Sequence, residues 1–120
     1  MHYALLIRED TSDFAKREDP AEAGPYWASW TAYSQAVAQA GIFVGGAGLM
    51  PPQAATTVRV DNGRHDVQDG PFADAKEQLA GFFVINVDDL DAALAWAGRA
   101  PISSLGSVEV RPVLPPPPQG

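Results

Sequence analysis

Apolar positions along the chain fall into short blocks separated by turn-forming residues, and each block has its own period. Tyr3-Ala4-Leu5-Leu6-Ile7 is apolar at every position and reads as a central strand beginning almost at the terminus. From Arg8 to Gly24 the chain becomes polar and acidic, with Glu9, Asp10, Asp13, Glu18, Asp19 and Glu22. This run lacks the ligand spacing and turn glycine of a calcium loop, so a solvated, mobile loop is expected. Pro25, at a first-turn position, opens a helix expected to run to about Ala40, with Gly41 as its stop. Trp30, Tyr33, Val37 and Ala40 recur at helical spacing and form its apolar stripe, with Trp27 beside it. The aromatic residues of that stripe are core residues in the simplest reading. In the other, Trp30 or Tyr33 lines a cavity between helix and sheet.

Ile42-Phe43-Val44 begins the next strand and runs into Gly45-Gly46-Ala47-Gly48. No Lys-Ser/Thr follows, and Met50-Pro51-Pro52 comes next, so this is not a phosphate loop. It is a strand end where a bulge, another backbone or a ligand can approach closely. Residues 55–69 form a hairpin about Asn62-Gly63, the signature of a two-residue type I′ turn. That turn sets the register: Asp61 opposite Arg64, Val60 opposite His65, Arg59 opposite Asp66, Val58 opposite Val67, Thr56 opposite Asp69. One face carries two opposite-charge pairs and suits solvent. The other carries Val58, Val60 and Val67, ending in Thr56 and Asp69, so the Asp69 carboxylate is expected to be buried and in need of a partner.

The stretch Asp69 to Val87 combines a stiff corner, a cluster of charges and the most apolar strand of the chain. Pro71 fixes its own backbone and pushes Gly70 towards an extended conformation. Pro71 also lacks the N–H that Asp69 would ordinarily accept from, so the carboxylate must look to Phe72, Ala73 or a cation. Asp74 and Glu77 stand at capping-box spacing, predicting a short helical turn around Ala75-Lys76-Glu77. Gly81 to Val87 is apolar on both alternations, as in a strand covered on both faces. Asp88 and Asp89 then cap a second helix with Leu90, Ala93, Leu94 and Ala97 as its apolar face, and Pro101 stops it. Ser107 to Arg111 is a last strand with Val108 and Val110 inward. The proline-rich tail, residues 113–120, is expected to be extended and frayed.

Without the hairpin, the order is strand, helix, strand, then strand, helix, strand. Two such units with right-handed crossovers build an α+β ferredoxin-like plait: a four-stranded antiparallel sheet, both helices on one face, plus the extra hairpin. The strands at 3–7 and 81–87 become the central pair. Because both of their alternations are apolar and two helices cover only one face, a second subunit is the economical cover, so a homodimer is expected.

Composition narrows the partners. At 120 residues the chain forms one domain, taken as residues 1–112. Eight Lys and Arg against 15 Asp and Glu give a net charge of -7, which argues against nucleic acid and anionic membranes. The absence of cysteine removes disulfides, thiol nucleophiles and Cys-based metal sites. His2 and His65 are isolated, so no metal and no cofactor is expected. The chain shows no leader pattern and no apolar run of membrane-spanning length, and is read as a soluble cytoplasmic protein.

Asp69-Gly70-Pro71-Phe72, the following Ala-acidic-x-Lys-Glu run, Gly81-Phe82-Phe83-Val84-Ile85 and Val87-Asp88-Asp89-Leu90 together resemble the DGPF branch of the YCII-related proteins. The resemblance extends from Tyr3–Ile7 through residues 45–48 to Val108–Pro112. It implies the plait fold, assembled as a dimer with sheets face to face in an α/β barrel-like arrangement. It also implies a regulatory association, since members are often encoded beside extracytoplasmic-function sigma factors. Simpler members carry a first-helix His thought to work with an Asp. Here that His position falls near Trp30, and the Gly-rich segment has no matching Asp, so that pair is absent. Asp74 and Ala75 stand where the family commonly has Glu and Thr.

The candidate pocket is therefore built around Asp69, Phe72, Lys76 and Glu77, with Arg59, Trp30 and Tyr33 nearby. Those polar residues can equally hold the turn, with Glu77 capping and Lys76 and Arg59 in surface pairs. Two functions follow. In the first, a ligand- or protein-binding module is linked to a sigma factor. In the second, a cofactor-free lyase or isomerase uses Asp69 or Glu77 as acid or base, with Lys76 as counter-charge.

Overall fold

The computed structural model describes residues 1–117. In chain order the elements are β1 (His2–Asp10), α1 (Thr11–Lys16), α2 (Ala23–Gln39), β2 (Phe43–Gly48), β3 (Thr56–Asp61), β4 (Arg64–Asp69), β5 (Glu77–Asn86), α3 (Leu90–Ala97) and β6 (Ser107–Pro112). Four strands form one sheet in the order β2-β5-β1-β6, and every neighbouring pair is antiparallel. This order and the two helices on one face are those of a ferredoxin-like α+β fold. The apolar strands β1 and β5 lie at the centre, as their two-sided hydrophobicity requires.

Register decides what each face presents. Tyr3 pairs with Ile85, Leu5 with Phe83 and Ile7 with Gly81, which puts all of them on the helix side. There Tyr3, Leu5, Ile7 and Ile85 bury against Tyr33 and Val37 of α2 and Ala93 of α3. Tyr33 sits at the junction of the two helices. Its ring meets Phe83 edge-on at 5.3 Å, and its hydroxyl donates to the Trp96 carbonyl at 2.8 Å. The opposite face carries Ala4, Leu6 and Arg8 from β1, Phe82 and Val84 from β5, and Glu109 and Arg111 from β6. No helix covers it. Its apolar members are half-buried in the single chain.

Three expectations change. The acidic run at 8–24 is not a solvated loop: β1 continues to Asp10, and α1 follows at once. Asp10 is its N-cap, accepting from the Ser12 N–H at 3.0 Å, while Asp13 accepts the Asp10 N–H at 3.3 Å. Glu9 and Asp13 are buried, Asp13 bonded to Ser103 and paired with Lys16. Secondly, no helical turn forms at Ala75-Lys76-Glu77. Glu77 opens β5 and pairs with Asp10, because each residue added to a ladder brings its own hydrogen bonds, whereas a lone helical turn fixes several residues for one. Thirdly, the buried stripe of α3 is Ala93, Trp96 and Ala97, leaving Leu90 and Leu94 about half exposed.

The hairpin forms in the expected register, with Thr56 opposite Asp69 and Asp61 opposite Arg64. Asn62 and Gly63 both take positive φ, 50° and 78°, as a type I′ turn demands. Its packing differs from expectation. β3 and β4 form a separate two-stranded sheet, and Val58, Val60 and Val67 are 55%, 65% and 61% exposed. The contacts of its polar side are with the segment that follows the hairpin. Thr57 donates to the Gly70 carbonyl at 2.8 Å, and the Arg59 guanidinium lies 5.0 Å from the centre of the Phe72 ring. The radius of gyration is 16.4 Å, against about 14 Å for a compact chain of this length. Residues 113–117 have no regular structure, and the remainder of the proline-rich tail lies outside the described residues.

Candidate binding site

Under the N-terminal half of α2 the sheet is nearly bare. Gly46 pairs with Phe83 and Gly48 with Gly81, both pairs on the helix side, so three of these four positions carry no side chain. A Cβ on Gly46 would lie 2.6 Å from the Phe82 carbonyl oxygen, and one on Gly81 would lie 2.8 Å from that of Ala47. The two glycines therefore let β2 and β5 close up. A Cβ on Gly48 would meet nothing within 4 Å. Above this floor α2 carries Tyr26, Trp27, Trp30 and Tyr33, side chains long enough to span the gap. The result is a cavity of about 550 Å³ walled by Tyr26, Trp27, Trp30, Phe43 and Phe83, with Thr31, Ser34 and Gln35 along the helix side.

One end of the cavity is polar. Glu9, only 2% exposed, accepts a hydrogen bond at Oε1 from the Tyr26 hydroxyl at 2.7 Å. Arg17, from the turn after α1, places a terminal guanidinium nitrogen 3.5 Å from the same oxygen and donates from Nε to the Tyr26 hydroxyl at 3.2 Å. The guanidinium also donates to the carbonyls of Leu49 and Ala80 and sits over the rings of Phe14, Tyr26 and Trp27. A buried carboxylate and a buried guanidinium are thus paired and held by fixed partners. Burial, and then the hydrogen bond to Glu9, push the Tyr26 phenol up to about 12. Near neutral pH Tyr26 is a phenol, which donates a hydrogen bond and does not serve as a base. Burial likewise pushes Tyr33 up to about 12.

The residues singled out from the sequence lie in different places. Trp30 lines this cavity, and Tyr33 packs beside it in the core, its ring 5.9 Å from that of Trp30. Phe72 and Glu77 border a second hollow of about 630 Å³, between the base of the hairpin and the end of the sheet, together with Arg8 and Leu49 to Pro52. Arg59 reaches that hollow's rim by stacking on Phe72. Lys76 is exposed. Asp69 is exposed too, and no hydrogen bond or ion pair holds its side chain among the described residues; the expected burial fails because the valine face of the hairpin is itself uncovered. Sequence reasoning missed Glu9, Arg17 and Tyr26. Glu9 continues the buried alternation of Tyr3, Leu5 and Ile7, and Tyr26 stands four residues before Trp30 on the same helical stripe. No group of three or more His, Asp and Glu side chains among the described residues is arranged to hold a metal ion. No helix among them is long and apolar enough to cross a membrane.

The sheet order, the helices on one face and the half-open cavity between α2 and the sheet define a small α+β domain with a site of its own. Residues 1–116 match the YCII-related domain family, and the chain belongs to that family. It is also similar to an uncharacterised protein of Rhizobium meliloti (strain 1021), 39% identical over 118 residues that cover 94% of this chain and 92% of that one.

Proposed function

We propose that this YCII-related protein is a small-molecule-binding module and that the cavity beneath α2 is its site. One observation carries the reading: an aromatic-walled space of about 550 Å³ closes on a buried, hydrogen-bonded Glu9–Tyr26–Arg17 cluster. Apolar walls with a few fixed polar groups are what a ligand site needs, and the volume lies within the usual range of roughly 300–1,000 Å³. The Asp69-to-Phe72 motif resembles that of the family's DGPF branch. On that resemblance the module is proposed to be homodimeric and regulatory, linked to an extracytoplasmic-function sigma factor, and on its sequence pattern to be cytoplasmic. The uncovered sheet face of Leu6, Phe82 and Val84 supports the homodimer. Residues Arg59, Asp69, Phe72, Lys76 and Glu77 are proposed to form a separate contact region at the hairpin base.

A second reading has one observation in its favour. Glu9 is a buried carboxylate reaching a cavity, the position an acid or base occupies in a cofactor-free lyase or isomerase. A thermal-shift screen against a metabolite collection tests the binding reading, since a bound ligand raises the melting temperature whatever the chemistry. Hits are expected to stabilise the wild type and to have no effect on Gly48→Leu, whose side chain would fill the floor of the cavity. A hit that stabilises both proteins equally would place binding elsewhere. Conversion of a hit to product, lost in Glu9→Gln, would favour the enzyme.

A further inference from the structure

The polar end of the cavity has an unused hydrogen-bond acceptor. Glu9 Oε1 receives both the Tyr26 hydroxyl and the Arg17 guanidinium. Oε2 accepts no hydrogen bond among the described residues, and none of their buried side-chain oxygens or nitrogens is sealed off without a partner. Glu9 lines the cavity, so Oε2 is the acceptor that the cavity offers. Arg17 is in the opposite state. Its nitrogens already serve the Tyr26 hydroxyl, two backbone carbonyls and Glu9, leaving little to bind an anion. The Glu9–Arg17 pair is neutral as a unit, so a charged ligand group would be buried there without a counter-charge.

From this we infer that the ligand is a neutral, largely aromatic or apolar molecule that donates one hydroxyl or N–H to Glu9. This rests on the cavity being the binding site, and it adds the chemical class. The aromatic walls take the flat body of the ligand, and the carboxylate selects the end that carries the donor. Carboxylates and phosphates are disfavoured because at most one of the five guanidinium N–H groups is left for them, and cations because the pair is neutral as a unit.

Four related probes test it by isothermal titration of the wild-type protein: indole, N-methylindole, indole carboxylate and tryptamine. Indole is neutral and carries a donor. N-methylindole keeps the shape and lacks the donor, while the other two add a negative or a positive charge. Indole is expected to bind about tenfold or more tightly than each of the other three, the usual size of a hydrogen bond to a buried charged acceptor. Glu9→Gln, a neutral acceptor of the same shape, is expected to narrow the gap between indole and N-methylindole to a few-fold. Equal binding of indole and N-methylindole, or tighter binding of either charged probe, would overturn the inference and leave the binding site standing. Failure of all four to bind, or binding unchanged in Gly48→Leu, would overturn the binding site along with it.

Discussion

A carboxylate at the position of Glu9 gives up its hydration, and Tyr26 and Arg17 stand in for the lost water. Removing one member of such a pair leaves the other buried and uncompensated, which costs about 3–5 kcal/mol. Arg17→Ala is therefore expected to lower the denaturant midpoint sharply with an unchanged slope, as measured by urea unfolding. The two shifted phenols give a second test. Both are pushed up to about 12 from an ordinary value near 10, so the unfolded chain loses these protons first as pH rises. Their contribution to stability is full below pH 10 and is lost as pH climbs through about 12. Stability followed by circular dichroism should fall over that window, and the Tyr26→Phe, Tyr33→Phe double variant should flatten the fall. Part of this cluster was legible in the sequence. The alternation Tyr3, Leu5, Ile7 extends to Glu9, but an acidic run reads as solvated unless a partner is known to reach it. That partner, Arg17, arrives through a turn whose path no periodicity specifies.

Elements show the same division between local and distant information. The hairpin was readable to the residue, because Asn62-Gly63 admits one tight turn and the turn sets the register. What its valine face packs against was not, since alternation marks a face that wants cover without naming the cover. The Gly-rich strand β2 was recognisable as a place of close approach, and the structure separates its glycines by task. Gly46→Ala would push a methyl group to 2.6 Å from the Phe82 carbonyl oxygen, so the β2–β5 ladder must shift, at a cost of roughly 1–3 kcal/mol. Gly48→Ala meets open space and is expected to change stability by less than about 0.5 kcal/mol. Comparing their melting temperatures checks this. Similar losses in both would mean that Gly48 does not face the cavity floor.

At the scale of the whole molecule, one sheet face is packed and the other is not. On the open face Arg8 and Arg111 both reach Glu109, and the hydrogen bond from Arg111, then the one from Arg8, hold that carboxylate below its ordinary range. Beside them lie Leu6, Phe82 and Val84. A second copy seated there would bury the apolar residues and leave the charged strip at the rim, so sedimentation should report a dimer, and Phe82→Arg should shift it to monomer. A monomeric wild type would contradict that assembly and would leave the reading of the cavity standing, because Glu9, Arg17 and α2 build the cavity on the helix side.

The cavity is the proposed ligand site, and the three tryptophans are placed to test it. Trp27 and Trp30 line it, whereas Trp96 packs on α3 beside Tyr33 and beneath the Arg99 guanidinium. Their indole N–H resonances can be followed by proton–nitrogen correlation spectroscopy while indole, or any hit from the thermal screen, is added. The resonances of Trp27 and Trp30 should move in proportion to occupancy while that of Trp96 stays in place, and in Gly48→Leu none should move. Shifts confined to Trp96 or to the hairpin base around Phe72, or shifts at Trp27 and Trp30 that persist in Gly48→Leu, would contradict the assignment of the cavity as the ligand site.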